Sequence, residues 1–173
     1  RTRCNRRLLA GSKVSFIATA TIGFDHIDTG ALRELGIRWT NAPGCNAASV
    51  AQYLACVLAD FRVPLAGKTL GVVGVGNVGS RVVKVGEAFG MRVLQCDPPR
   101  AEREGGSRFH PLGELVAEAD FLTFHVPLER GGSHPTFHLA DAALLAAMKP
   151  GAVLINTSRG EVVDGSALKA ALQ

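Results

Sequence analysis

The chain has 173 residues, a formal net charge of +4 and a hydrophobic fraction of 47%, which fits one globular domain and part of a second. No apolar run approaches the roughly 20 residues of a membrane-spanning helix, so no membrane partner is expected. The four cysteines form no CxxC pair and no zinc-type spacing, which predicts free thiols in a reducing, cytoplasmic compartment and no metal site.

Basic side chains gather at the start of the sequence. Aromatic residues make up only 6% of the chain, and none of them interleaves this basic group. The group therefore fits a solvated face or part of an anion site better than a nucleic-acid-binding arm. Its members are Arg1, Arg3, Arg6, Arg7 and Lys13.

The N-terminal region predicts short elements followed by one long helix. Apolar runs at 14–20 and 37–40 predict strands, and residues 29–35 predict a short helix that ends at Gly36. The longer helix covers residues 47–60 and has Asn46 as its expected cap. Because this helix is apolar on nearly every side, we expect it to be buried between two structural units.

The rest of the sequence alternates strands with helices, which predicts an α/β fold with a parallel, doubly wound sheet of the Rossmann type. A domain of this kind normally has about six strands. Because fewer strands are predicted here and the sequence stops in a helix, we expect an incomplete domain within a longer protein. The predicted strands lie near 70–73, 91–96, 121–125 and 152–156, and the predicted helices near 77–89, 111–118, 141–148 and 164–172.

A glycine-rich turn at residues 74–79 separates the first of these strands from the helix that follows it. Asp97 follows the next strand at about the twenty-residue spacing of the dinucleotide-binding fingerprint. A structural glycine turn would not by itself explain the flanking strand, the amphipathic helix and the spaced acid. The segment therefore predicts nucleotide binding, with Asp97 placed to accept hydrogen bonds from the ribose of adenosine.

Each glycine of the turn has a distinct physical role. Gly74 permits the tight turn, Gly76 leaves the backbone open to a pyrophosphate, and Gly79 lets the helix pack closely on the strand. Asn77 and Val78 lie at the open helix N-terminus, where unpaired N–H groups attract phosphates.

Arg159 lies in the segment 156–160, directly after a predicted strand. Loops at the carboxyl ends of parallel strands face the ligand crevice. A guanidinium there matches a carboxylate with two parallel hydrogen bonds. The alternative is a surface pair with Glu161 or Asp164, and position alone leaves the two interpretations open.

His125 ends another predicted strand and is followed by Val126 and Pro127. We prefer a hydrogen-bonded histidine that shapes the cofactor pocket to a general base at this position. His134 and His138 are spaced like metal ligands, but the glycines and proline around them argue against one helical face, so no metal is predicted.

Residues 19–26 join a strand to a helix, and their small and hydroxyl side chains expose backbone N–H groups. The segment is either an anion cradle or an ordinary turn. Cys45 has no basic neighbour in sequence and is not expected to be a nucleophile.

These segments occur in the order seen in the D-isomer-specific 2-hydroxyacid dehydrogenases, which the sequence resembles over nearly its whole length. The segments are 20–26, 41–46, 74–79, 125–128 and 156–160. The resemblance implies an NAD-dependent enzyme that oxidises a small 2-hydroxy acid by hydride transfer. Residues 96–100, Cys-Asp-Pro-Pro-Arg, further resemble a branch of the family whose substrate is phosphorylated.

The resemblance also implies residue roles. Arg159 matches the catalytic arginine that pairs the substrate carboxylate, and Thr21 matches a substrate-contacting threonine. The family's acid–base histidine lies on a segment beyond Gln173, so the chain alone is expected to be inactive. The implied cofactor-binding residues are Gly74, Gly76, Asn77, Val78, Gly79, Asp97, His125, Val126, Pro127, Thr157, Ser158 and Arg159.

We therefore expect residues 1–62 to be part of a substrate domain with an interdomain helix, and residues 63–173 to be an incomplete NAD-binding domain. A homodimer is expected for the full-length protein. The alternatives are a related dehydrogenase for another 2-hydroxy acid, such as phosphoglycerate or glycerate, and a non-catalytic NAD-sensing module, because fold alone does not decide function.

Overall fold

A computed structural model describes residues 2–106 and 108–173 of the protein. Arg1 of the basic N-terminal group therefore lies outside the described residues. The chain divides into two compact units, Arg1–Asn46 and Ala47–Gln173. In this division the helix at residues 47–60 belongs to the second unit. The assignment of 1–62 to a substrate domain and of 63–173 to an NAD-binding domain stays a prediction.

The first unit is a small α/β structure with two parallel strands. Phe16 is opposite Arg38, and Ala18 is opposite Thr40. Asp28 caps the second helix by accepting a hydrogen bond from the backbone N–H of Ala31 at 2.9 Å. The elements are α1 (Arg6–Leu9), β1 (Phe16–Ala18), α2 (Thr29–Glu34) and β2 (Arg38–Thr40). All of these elements except α1 are predicted from the sequence.

The second unit is built on four parallel strands in the order β4-β3-β5-β6. The first strand of this sheet, β3, lies in its interior. The next strand, β4, pairs with one side of β3, and the chain then crosses to the other side, where β5 and β6 follow. This order confirms the predicted doubly wound α/β fold. The strands are β3 (Thr69–Val73), β4 (Arg92–Cys96), β5 (Phe121–Phe124) and β6 (Val153–Asn156).

Helices cover both faces of this sheet, and a hydrophobic cluster lies beneath each group. One cluster includes Leu54, Leu70 and Val82, and the other includes Leu115 and Phe124, all of them fully buried. The helices are α3 (Ala47–Asp60), α4 (Gly79–Ala88), α5 (Pro98–Glu104), α6 (Leu112–Glu118), α7 (Ala142–Ala147) and α8 (Gly165–Ala171), with a 3-10 turn at Gly160–Val162.

Helix α3 corrects one expectation. It buries a single face, which carries Ala47, Ala51, Leu54 and Leu58, while Tyr53 is 59% exposed. The prediction that nearly every side is buried is therefore wrong for this chain. Small alanines and Tyr53 raise the apolar count of the helix without requiring burial.

Helix α5 is absent from the sequence analysis. Two prolines open it, and proline is well tolerated at the first positions of a helix, where its missing N–H has no intrahelical partner. Asp97 caps the helix by accepting a hydrogen bond from the backbone N–H of Arg100 at 3.0 Å. No helix within the described residues combines the length and hydropathy needed to cross a bilayer.

Candidate functional site

The strand register brings several sequence-predicted residues to one edge of the sheet. Val73, the last residue of β3, is paired with Cys96 and with Phe124. Phe124 is in turn paired with Asn156 at the end of β6. The next residue of each strand therefore leaves the sheet at the same level. These four residues are Gly74, Asp97, His125 and Thr157.

A cavity of about 530 Å³ lies at this edge, within the size range of small-molecule and cofactor sites. Its walls are mostly apolar, and Asp97 and Glu129 contribute carboxylates. No lysine or arginine is among the described residues that line it. Six of the predicted site residues line the cavity: Gly74, Gly76, Asp97, His125, Val126 and Pro127.

The glycine-rich turn has the steric properties that the fingerprint requires. Gly74 adopts a φ of +85°, and a Cβ there would lie 2.6 Å from the carbonyl oxygen of His125. A Cβ on Gly79 would overlap the carbonyl oxygen of Gly74, so this glycine lets α4 approach β3. A Cβ on Gly76 would meet no heavy atom within 4 Å, because this residue faces open space.

The start of α4 is open to an anion. The helix begins at Gly79, and Val78 occupies the N-cap position without a side-chain capping hydrogen bond. The N–H groups of Ser80 and Arg81 already donate to the carbonyls of Gly76 and Val78 at 3.0 and 2.9 Å, so an anion would be met by the N–H groups that precede them and by the positive end of the helix dipole. Asn77 and Val78 therefore precede a helix end suited to a pyrophosphate, although neither residue lines the cavity.

Asp97 joins the glycine-rich turn to α5. Its Oδ2 accepts a hydrogen bond from the backbone N–H of Val75 at 2.8 Å, and its Oδ1 accepts one from the N–H of Arg100 at 3.0 Å. Each carboxylate oxygen has a second lone-pair site, so the carboxylate retains capacity for ribose hydroxyls. These two backbone bonds hold Asp97 at the cavity edge in a fixed orientation.

His125 is held on both ring nitrogens. Its Nε2 lies 3.0 Å from the hydroxyl of buried Thr123, and its Nδ1 lies 3.1 Å from the hydroxyl of Thr157. Burial lowers the pKa of His125 to about 4, because desolvation penalises the charged imidazolium. A neutral imidazole with both nitrogens occupied supports the pocket-shaping interpretation over general-base catalysis.

The loop that carries Arg159 is organised by Asn156. The side-chain oxygen of Asn156 accepts from the backbone N–H of Ser158 at 3.0 Å and from its hydroxyl at 2.8 Å, and its Nδ2 donates to the carbonyl of Arg159 at 2.8 Å. The guanidinium of Arg159 donates to the carbonyl of Ser158 at 3.2 Å. Thr157, Ser158 and Arg159 thus form a fixed loop beside His125.

Thr21 lies in the first unit, in a hydrogen-bonded turn. Its hydroxyl donates to the carbonyl of Gly23 at 2.8 Å and lies 2.7 Å from the hydroxyl of Thr19. Because a hydroxyl has one hydrogen, Thr19 is the donor of the second bond. Thr21 therefore offers an acceptor lone pair to a ligand, and its substrate role stays a prediction.

One wall of the cavity, formed by the loop 129–136, is not predicted from the sequence. Thr136 fixes this loop: its hydroxyl donates to the carbonyl of Pro127 at 2.6 Å and accepts from the N–H of Glu129 at 2.8 Å. In the sequence this loop is marked only by its turn residues, Gly131, Gly132 and Pro135. The remaining lining residues are Val73, Cys96, Pro98, Pro99, Leu112 and Leu139.

The described residues also include a thiol and side chains of the types that bind metals. Burial and the nearby charge of Asp97 raise the pKa of the Cys96 thiol to about 11, so it remains protonated and serves as an apolar wall. Among the described residues, no group of three or more His, Cys, Asp or Glu side chains is arranged to hold a metal ion.

The arrangement fits a dinucleotide. Apolar side chains offer faces for a base, Asp97 presents a fixed carboxylate at the cavity edge, and the start of α4, which has no side-chain cap, adjoins open space at Gly76. These features together define a dinucleotide-binding domain of the Rossmann class.

Comparison with known proteins gives the family. Residues 58–173 match the NAD-binding domain of the D-isomer specific 2-hydroxyacid dehydrogenases. The chain belongs to this family, which confirms the resemblance seen in its motifs, and NAD is the cofactor of the matched domain.

Individual relatives are consistent with this membership. The chain is 54% identical over 177 residues to erythronate-4-phosphate dehydrogenase of Bacteroides fragilis, covering 100% of this chain and 51% of that relative. Among solved structures, it is similar to NAD+-bound 3-phosphoglycerate dehydrogenase of Entamoeba histolytica, with a TM-score of 0.85, 28% identity, and coverage of 99% and 58%.

A third similar protein is D-lactate dehydrogenase of Aquifex aeolicus complexed with NAD and lactic acid. The TM-score is 0.81 and the identity 33%, over 99% of this chain and 58% of that one. The chain spans about half the length of the curated relatives it matches.

Proposed function

We propose that the full-length protein carrying this chain oxidises 4-phosphoerythronate to its 2-oxo acid with NAD, and that this chain supplies the cofactor site and the substrate arginine. One observation carries the choice of substrate. Identity to erythronate-4-phosphate dehydrogenase is 54% across the chain, whereas identity to the lactate and phosphoglycerate enzymes is 33% and 28%.

The residues of this chain have distinct proposed roles toward the cofactor. Asp97 accepts hydrogen bonds from the ribose, Gly76 admits the pyrophosphate to the open start of α4, and His125 orients Thr157 beside the nicotinamide. When bound, the nicotinamide ring supplies the hydride acceptor. The apolar walls exclude water from the cavity.

Toward the substrate, Arg159 orients the carboxylate with its guanidinium fork and polarises the developing 2-oxo group. Its loop is fixed by Asn156, which limits the reorganisation needed on binding. His125 is a neutral imidazole at neutral pH, so it has no imidazolium proton to give up, and its low pKa makes it a weak general base. We propose that the hydroxyl proton passes to a histidine outside this chain, as the family resemblance implies.

The proposal extends to a cytoplasmic homodimer. All four cysteines are free thiols, which supports a reducing compartment. Light scattering on the full-length protein checks the dimer, and a monomeric mass would contradict it.

The experiment that tests the substrate measures kcat/KM of the full-length protein for three acids. We expect 4-phosphoerythronate to be preferred by at least tenfold over erythronate, which lacks the phosphate, and over 3-phosphoglycerate, which is one carbon shorter. Equal specificity constants would remove 4-phosphoerythronate as the substrate.

A further inference from the structure

Arg100 is three residues from Asp97, yet its guanidinium is directed at other partners. Its Nε and Nη2 donate to the two carboxylate oxygens of Glu104 at 2.8 and 2.9 Å. Its Nη1 donates to the backbone carbonyl of Val75 in the glycine-rich turn. Arg100 does not line the cavity at whose edge Asp97 lies.

Glu104 is well placed to keep Arg100 in this position. It also accepts a hydrogen bond from Arg108 at 2.6 Å, and the guanidinium groups of Arg100 and Arg108 lie 5.6 and 4.8 Å from the centre of the Phe109 ring. The hydrogen bond from Arg100 lowers the pKa of Glu104, so the carboxylate is charged at neutral pH. A bidentate pair of this kind has a defined geometry as well as a favourable charge.

The position of Arg100 matters for the choice of nucleotide. NADP differs from NAD by a phosphate on the ribose hydroxyl that faces the fingerprint acid, and enzymes that accept NADP use an arginine near this acid to bind that phosphate. Here the acid is Asp97, and the described lining of the cavity contains no arginine or lysine. A guanidinium three residues away is present in sequence but is engaged elsewhere.

We propose that Glu104 is a specificity-determining residue for the nucleotide: by holding Arg100 against the glycine-rich turn, it denies the 2′-phosphate of NADP a guanidinium and reserves the site for NAD. The hydrogen bond from Arg100 to the carbonyl of Val75 serves the same end, because it holds the guanidinium at the glycine-rich turn. The N–H of Val75 is in turn bonded to the Asp97 carboxylate. The proposal does not depend on which hydroxy acid is oxidised.

The test measures the dissociation constants of NAD and NADP for the full-length protein by calorimetric titration without hydroxy acid. Glu104→Gln keeps the size of the side chain and removes its charge. We expect the preference for NAD over NADP to fall about threefold to fivefold, the upper range for one partly exposed ion pair. In the double variant Glu104→Gln/Arg100→Gln, this gain of NADP binding is expected to disappear.

Glu102→Gln is the matched control. Glu102 lies on the same helix and carries the same charge, but it contacts His134 at 2.8 Å instead of Arg100. We expect its preference for NAD to stay within about twofold of the wild type. Equal shifts in the Glu102 and Glu104 variants would show that charge alone is responsible and would overturn the proposal, as would no shift in Glu104→Gln.

Arg100→Gln on its own gives a second, independent reading. Because Arg100 does not serve the 2′-phosphate in the native protein, we expect NAD and NADP affinities to change in parallel. A selective loss of NADP affinity would show that Arg100 already reaches that phosphate, and the proposal would be wrong. Thermal unfolding of each variant reports whether it is folded, and these binding results are separate from the substrate test above.

Discussion

Two glycines of the turn 74–79 allow cofactor binding to be separated from folding. A Cβ on Gly76 meets no heavy atom within 4 Å, whereas a Cβ on Gly79 would overlap the carbonyl oxygen of Gly74. Gly79→Ala therefore forces α4 away from β3, while Gly76→Ala places a methyl group only in the space that we assign to the pyrophosphate. The two substitutions add the same atoms three residues apart.

Gly79→Ala is expected to change stability, and Gly76→Ala is expected to change NAD affinity. Overpacking of this type costs about 1–3 kcal/mol and lowers the melting temperature of Gly79→Ala. Gly76→Ala should leave the free energy of unfolding unchanged or raise it by about 0.4–1 kcal/mol, because alanine restricts the unfolded chain. Its Kd for NAD should rise at least about tenfold, or about 1.4 kcal/mol.

The assay pairs thermal unfolding without cofactor with calorimetric titration of NAD, both on the full-length protein. Gly76→Ala should be as stable as the wild type and bind NAD weakly, and Gly79→Ala should unfold at a lower temperature. Wild-type affinity for NAD in Gly76→Ala would refute the assignment of the turn to the pyrophosphate. Wild-type stability in Gly79→Ala would refute the packing argument.

Three further predictions concern the neighbouring residues. Arg159→Gln in the full-length enzyme should retain NAD affinity and lose at least about a hundredfold in kcat/KM, or about 2.7 kcal/mol. Arg159→Lys should restore little, because an ammonium lacks the guanidinium fork, and near-normal turnover of Arg159→Gln would rule out its role in binding the substrate carboxylate. Since the pKa of His125 is lowered to about 4, its contribution to stability is complete above the ordinary value of about 6.5 and is lost as the pH falls from there toward 4; an NMR titration of this ring with a midpoint above 6 would contradict this. Thr136→Val keeps the shape of the side chain and leaves the carbonyl of Pro127 and the N–H of Glu129 without their hydroxyl partner. Chemical denaturation should show a free energy of unfolding lower by about 1–3 kcal/mol, and calorimetry should show weaker NAD binding; unchanged values would show that the loop is held by other contacts.

Local sequence patterns were sufficient for the parallel sheet and for one side of the cavity. Gly74, Asp97 and His125 each follow a strand, and parallel strands bring such residues to one edge of the sheet whatever the details of packing. The register of β3, β4 and β5 places the three residues at the same level of the sheet, as expected. These residues were predictable because their positions depend on strand ends alone.

The opposite wall of the cavity depends on tertiary contacts and was not predictable. The loop 129–136 reaches the cavity because Thr136 bonds back to Pro127 and Glu129, and no periodicity in the sequence marks that return. Helix α3 illustrates a second limit. Apolar composition indicated burial on nearly every side, but only the face that meets α4 and the sheet is covered.

Helix α5 shows how one residue can serve two purposes. Asp97 is predicted from its spacing to bind the ribose, and in the structure the same carboxylate caps the helix and accepts a hydrogen bond from the N–H of Val75. The partner of Arg100 was also hidden, because the spacing of four residues to Glu104 indicates an ion pair only within a helix, and α5 itself was not predicted.

The central claim is that the cavity at the ends of β3, β4 and β5 holds NAD. A crystal structure of the full-length protein with NAD tests it most directly. We predict electron density for adenosine in this cavity, a ribose hydroxyl within hydrogen-bond distance of the Asp97 carboxylate, and the pyrophosphate against residues 74–79. Nucleotide density elsewhere, with the cavity free of adenosine, would contradict the account.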